Sequence, residues 1–268
     1  MRLEPWRIVC KMSITGNNIL IGASGGGADL PPQGDSIQWH FRADLGITTS
    51  GNGVSVWLDQ VGETESMSQT DDTDRPGYDA TKTVGTKENA GIVIFDKTGG
   101  AAGYGEWMKG SNIQSTGQPF TVFCLGNPVS YVTNCYIWDG RGNGGTDASS
   151  VAGSCLEQTG GSPNMQMQAL VGPISFPLGE FHLATTIWNG ASSFFQIDDS
   201  TTDTGTVNSD YDAGMYFGTN QWQGGGTFPY PTDYEMVEWI GYDGALGAGT
   251  SPTLAEVQDY FKNRYGLW

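Results

Sequence analysis

The stretch DYEMVEWIGYDGAL (residues 233–246) brings Asp233, Glu235 and Glu238 close together in the chain. Paired carboxylates can cleave a glycosidic bond with retention when the two carboxyl groups stand about 5–5.5 Å apart, one giving a proton and the other attacking. That chemistry needs both on one face. Side chains alternate along a strand, so Asp233 and Glu235 share a face while Glu235 and Glu238 point to opposite faces. Only a β-bulge between them would reunite the pair. No third acid follows at position 237, which is Val. The spacing therefore predicts Glu235 at the surface, Glu238 turned away, no shared cleft, no catalytic residue and no enzyme.

Other reactive types are sparse. Asp71, Asp72 and Asp74, and again Asp198, Asp199 and Asp203, could offer oxygen ligands to calcium. Aspartates also favour turns because they bond the local backbone, and no cofactor or metal is expected on that reading. The two histidines, His40 and His182, build no Ser/His/Asp arrangement, and Cys10, Cys124, Cys135 and Cys155 form no CxxC motif. Cys124 and Cys135 flank LGNPVSYVTN, which reads as a hairpin connection. A bridge there needs cross-strand geometry and an oxidising compartment, so four reduced thiols are the expectation. GASGGG lacks the Lys-Ser/Thr ending of a phosphate loop.

The candidate ligand surface is GTNQWQGGGTFPYPTDY (residues 218–234), where Trp222 and Tyr230 offer ring faces to a sugar and Asn220 and Gln221 offer amides to its hydroxyls. The competing reading has Trp222 and Tyr230 packing the loop onto a sheet. Trp57, Trp138, Trp188 and Trp239 fall in strand-like runs and are assigned to the core.

The elements that must position these residues are strands. Glycine makes up 41 of 268 residues, which favours turns over long helices. SIQWHF places Ile37, Trp39 and Phe41 on one face; VSVWLD places Val54, Val56 and Leu58 on one face and Trp57 on the other. Similar runs recur between turn clusters such as GNG, NGASS and DDSTTDTG, which indicates an antiparallel sandwich or barrel. In TSPTLAEVQDYFKNRYG, Thr253 and Glu256 have capping-box spacing, Leu254, Val257 and Phe261 share a face, and Gly266 is a stop signal. This predicts one helix on the sandwich edge. Residues 1–34 contain a Gly/Pro-rich run, GASGGGADLPPQG, and read as an extended arm without a signal peptide. Twenty-nine acids against twelve bases give a net charge of −17, which opposes binding to nucleic acid or to an anionic membrane surface.

The order of these signals resembles a family. LGITTSGNGVSVWLDQVGETESMSQTDDTDRPGYDA followed by GIVIFD is similar to the opening of a concanavalin A-like, laminin-G-like domain. GEFHLATTIWNGASSFFQIDD is similar to its central hairpin, and EMVEWIGYDGALGAGTSPTLAEVQDYFKNRYG to its closing strand and helix. The resemblance implies an all-β, antiparallel jelly-roll β-sandwich over residues 35–268, behind the arm and ending in a short helix. In that family the closing-strand glutamate, here Glu238, has a structural role. MSITGNNILIGASGGG further resembles the start of tailed-bacteriophage structural proteins. That implies a non-enzymatic virion protein, a capsid decoration or fibre component, assembled in the host cytoplasm. Its partners would be other virion proteins through the arm, further copies of itself, and surface glycans. The alternatives are a stand-alone carbohydrate-binding module or a glycan hydrolase or lyase of the same fold.

Overall fold

A computed structural model describes residues 30–34, 37–61, 65–99, 105–110, 118–130, 135–140, 155–159, 164–167, 171–199, 201–207, 215–219 and 232–268. Among them, two antiparallel sheets stack face to face and a helix covers the outer side of one. The all-β sandwich expected from the sequence is the fold. The eight-stranded sheet is ordered β15 (Thr201–Gly205), β14 (Ser193–Ile197), β13 (His182–Trp188), β8 (Phe120–Pro128), β17 (Tyr234–Asp243), β6 (Ile92–Phe95) and β5 (Gly77–Asp79), with β1 (Ile37–Arg42) also paired to β17. The nine-stranded sheet is ordered β12 (Val171–Ser175), β11 (Asn164–Met167), β10 (Cys155–Thr159), β9 (Cys135–Asp139), β16 (Met215–Phe217), β7 (Met108–Gly110), β4 (Ser66–Ser68), β3 (Gly53–Leu58) and β2 (Ile47–Ser50).

Alternation along β8 shows how the layers form. Phe120, Val122 and Cys124 enter the space between the sheets, while Phe123 and Leu125 point outward. The inner core holds Trp57, Trp138, Trp188 and Trp239, all buried as the sequence predicts. Their rings meet at tilted or edge-on angles, as in the Trp138–Trp239 pair at 6.3 Å and 76°. Gly126 is required where it stands, because a Cβ there would lie 2.3 Å from the ring of the buried Tyr234.

The outward apolar residues need a cover, and α1 (Leu254–Tyr265) supplies it. Val257, Phe261 and Tyr265 pack on Phe123, Leu125, Leu183 and Ile240. The helix starts with the Thr253/Glu256 capping box and ends at Gly266, whose φ of 63° suits a residue without a Cβ. It lies over the face of the eight-stranded sheet rather than on the sandwich edge, because that face is apolar across β8, β13 and β17. No helix among the described residues is long and apolar enough to cross a membrane. Residues 31–34 already lie against this body, where the Tyr242 hydroxyl donates to the Pro32 carbonyl at 3.2 Å.

Of the register shifts among the described residues, three bear on faces read from the sequence. An extra residue at Gln38 sends Ile37 to the helix-covered face while Trp39 and Phe41 point inward. One at Ser55 turns both Val54 and Trp57 inward, so they do not sit on opposite faces. The third, at Val237, bears on the acidic stretch. Each bulge places two residues opposite one and breaks strict alternation. The Cys124–Cys135 segment is not a hairpin either: β8 and β9 belong to different sheets, and both thiols are free and buried.

Candidate functional site

Strand β17 forks at Val237. Its first half pairs with β6 and its second half with β1, and the bulge sits at the change of neighbour. The sequence reading of the glutamates is corrected by this bulge. Glu235, opposite Asn127, and Glu238, opposite Leu125, both lie on the outer face. Glu235 is not a surface residue, since its side chain is only 13% exposed. The two carboxylates nevertheless serve different partners. Glu235 accepts from Lys82 Nζ at 3.1 Å and Asn127 Nδ2 at 2.9 Å. Asp233 accepts from the Lys97 amide at 2.8 Å and the Ser130 hydroxyl, and pairs with Lys97 Nζ at 2.9 Å.

Glu238 is sealed beneath α1 with no exposed surface. Its Oε1 accepts from His40 Nε2 at 2.5 Å and from the Tyr260 hydroxyl at 2.8 Å. Its Oε2 accepts from the Tyr265 hydroxyl at 2.5 Å, with Arg264 Nε 3.6 Å away. Burial pushes this carboxyl up, but attraction to His40 and Arg264 and the hydrogen bonds outweigh it and hold the group below its ordinary range. Arg264 and Arg42 both reach Asp44 at 2.8 Å, extending the cluster to the turn after β1. The cluster ties helix to sheet. A sugar has no route to a carboxylate enclosed in this way.

The aspartates proposed for calcium are held by protein groups. Asp71 accepts from the Thr73 amide and hydroxyl, Asp72 pairs with Arg75 and accepts from the Asn52 amide, and Asp203 accepts from the Thr204 amide. Asp198 takes His182 Nδ1 at 2.7 Å and the Leu183 amide at 2.8 Å, while Asp199 pairs with Lys262 at 3.0 Å. Among the described residues, no group of three or more His, Cys, Asp or Glu side chains could hold a metal ion.

The remaining candidate surface is the outer side of the nine-stranded sheet. Trp222, Tyr230, Asn220 and Gln221 lie outside the described residues, in the segment that joins β16 to β17. What is described is the platform from which that segment leaves. Direct cross-strand pairing puts Val56, Ser68, Lys109, Tyr216 and Asp139 in one row. Their inner-facing neighbours Trp57, Met67, Met108, Phe217 and Trp138 belong to the core, so the row lies on the outer side of the sheet, where Tyr216 and Asp139 are themselves buried and Val56, Ser68 and Lys109 partly exposed. Trp107, two residues before Lys109, is half-buried, and its ring meets that of Tyr216 at 5.9 Å and 36°. The Lys109 ammonium lies 5.4 Å above the Tyr216 ring.

Glu106 precedes Trp107 in the chain, and its Oε2 accepts from the Asp96 amide at 3.1 Å. Burial, opposed by backbone hydrogen bonds and assisted by Asp96, pushes its carboxyl up to about 7. A carboxyl in that range can hold or release a proton near neutrality. The sequence reading passed over these residues. The signal was present in EWMK, where Trp107 and Lys109 alternate with the core residue Met108, and in GMYFG, where Tyr216 stands between Met215 and Phe217.

No protein-family model and no curated protein matches the chain. Among solved structures, it is similar to an arabinofuranosidase complexed with arabinofuranosyl-alpha-1,2-xylobiose, with a TM-score of 0.53 at 13% identity over 78% of this chain and 50% of that one. It is also similar to domain 4 of AbnA, an extracellular arabinanase of Geobacillus stearothermophilus in complex with arabinotriose (TM-score 0.48, 15% identity, 84% and 98% covered). A third is a Trypanosoma rangeli sialidase (TM-score 0.46, 12% identity, 88% and 36% covered). The chain thus spans about a third of the sialidase and half of the arabinofuranosidase. At these identities the likeness shows the β-sandwich. The expectation of a non-enzyme is corrected: the arabinofuranosidase at TM-score 0.53 is a glycoside hydrolase, so this fold also occurs in enzymes. None of them bears on a phage particle, so the virion reading rests on the sequence resemblance alone.

Proposed function

We propose that the chain recognises carbohydrate on the outer side of its nine-stranded sheet. The observation that carries this reading is the partly exposed trio of Trp107, Lys109 and Ser68, seated on the buried ring of Tyr216. Sugars lay their C–H faces on aromatic rings while neighbouring polar groups meet their hydroxyls, and the partly exposed Trp107, Lys109 and Ser68 offer both within about one strand spacing, roughly 5 Å. The opposite outer face of the sandwich is unsuited to this role, because α1 and the Glu238 cluster close it. The shared sandwich fold agrees with the reading, since one similar structure holds an arabinofuranosyl-xylobiose.

The test is a glycan array followed by titration calorimetry on the glycans that bind. Trp107 is half-buried and outside the core, so Trp107→Ala should still fold, with a thermal midpoint lowered by the lost packing on Tyr216. Removing its stacking face should weaken binding roughly tenfold. Unchanged affinity in a folded Trp107→Ala protein would place recognition elsewhere.

A further inference from the structure

Lys109 is set apart by its surroundings. In a chain of net charge −17, basic side chains have many carboxylates to choose from. Arg42 and Arg264 pair with Asp44, Arg75 with Asp72, Lys82 with Glu235, Lys97 with Asp233 and Lys262 with Asp199. Lys87 is engaged as well. Among the described residues, the Lys109 ammonium has no carboxylate within ion-pairing distance and rests over the Tyr216 ring. Asp139 does not neutralise it. That residue stands on the far side of Tyr216, about 10 Å away by strand spacing, is fully buried and has contacts of its own.

Resting on the carbohydrate reading above, we infer that Lys109, with Trp107 beside it and Tyr216 beneath it, forms the subsite for a carboxylated sugar, a uronic or sialic-type acid. Lys109 is a half-buried residue, so a carboxylate placed against its ammonium replaces water with a charge-assisted hydrogen bond, while the sugar ring rests on Trp107. The net charge narrows the ligand further. A polymer with a carboxylate on every residue would bring many charges into the negative field around this chain, whereas one acidic sugar on a neutral glycan brings only the charge that Lys109 meets. The ligand class is therefore a sparsely carboxylated glycan.

The experiment uses the full chain on an array holding neutral oligosaccharides, glycans with single uronic or sialic acids, the same glycans after chemical reduction of the carboxyl to an alcohol, and polygalacturonate. The expected result is binding to the singly carboxylated members, a loss of roughly tenfold on carboxyl reduction, and weaker binding to polygalacturonate. Lys109→Met should lose the preference for the carboxylated over the reduced partner, and Lys109→Arg should keep it, with both thermal midpoints near wild type. Equal binding to carboxylated and reduced partners, unaffected by Lys109→Met, would overturn this inference and leave the carbohydrate reading standing. An array blank at high protein concentration would overturn both.

Discussion

Glu238 and Glu235 show how far residue type alone leads. Three positions apart on a strand, they read as facing opposite ways, and the bulge at Val237 puts them on one face. Their roles then follow from neighbours rather than from spacing. Lys82 and Asn127 hold Glu235, whereas His40, Tyr260, Tyr265 and Arg264 enclose Glu238. Removing the charge of Glu238 would leave Arg264 buried against one carboxylate fewer and two tyrosine hydroxyls with a poorer acceptor. Breaking a buried pair in this way costs about 3–5 kcal/mol, so Glu238→Gln should lower the urea midpoint sharply. The pH dependence has a definite sign. The native carboxyl titrates below its ordinary value of 4.5, so its stabilisation is complete above that value and is lost as pH falls through the depressed native one. Wild type should lose stability on acidification below about 4.5, and thermal scans of Glu238→Gln should show a flatter profile there.

At the scale of elements, legibility in the sequence followed locality. The helix was readable end to end, because Thr253, Glu256 and Gly266 act within one turn of its ends. The period-two runs of β8 and the burial of Trp57, Trp138, Trp188 and Trp239 were equally readable. Ile37, Val54 and Glu238 were assigned to the wrong faces because a bulge is decided by the partner strand, which a local window does not contain. The same limit made LGNPVSYVTN look like a hairpin, although β8 and β9 lie in different sheets. Tyr216 went unremarked because β16 is three residues long and gains meaning only beside Lys109 and Asp139. The helix also yields a prediction. Thr253→Ala removes one half of the capping box and should cost about 1 kcal/mol, visible as a lower thermal midpoint with unchanged glycan binding, since α1 covers the opposite sheet.

The whole molecule is two-sided. One outer face is apolar, closed by α1 and locked by the Glu238 cluster; the other carries an aromatic and cationic row with a half-buried tryptophan at its edge. This asymmetry is the basis for placing carbohydrate recognition on the nine-stranded sheet. The measurement that tests it most directly is hydrogen exchange with and without a saturating glycan selected from the array. The account expects new protection concentrated at Trp107–Gly110 and Met215–Phe217, with exchange in α1 unchanged. Protection confined to α1 and the outer face of β17, with none along β7 and β16, would contradict it.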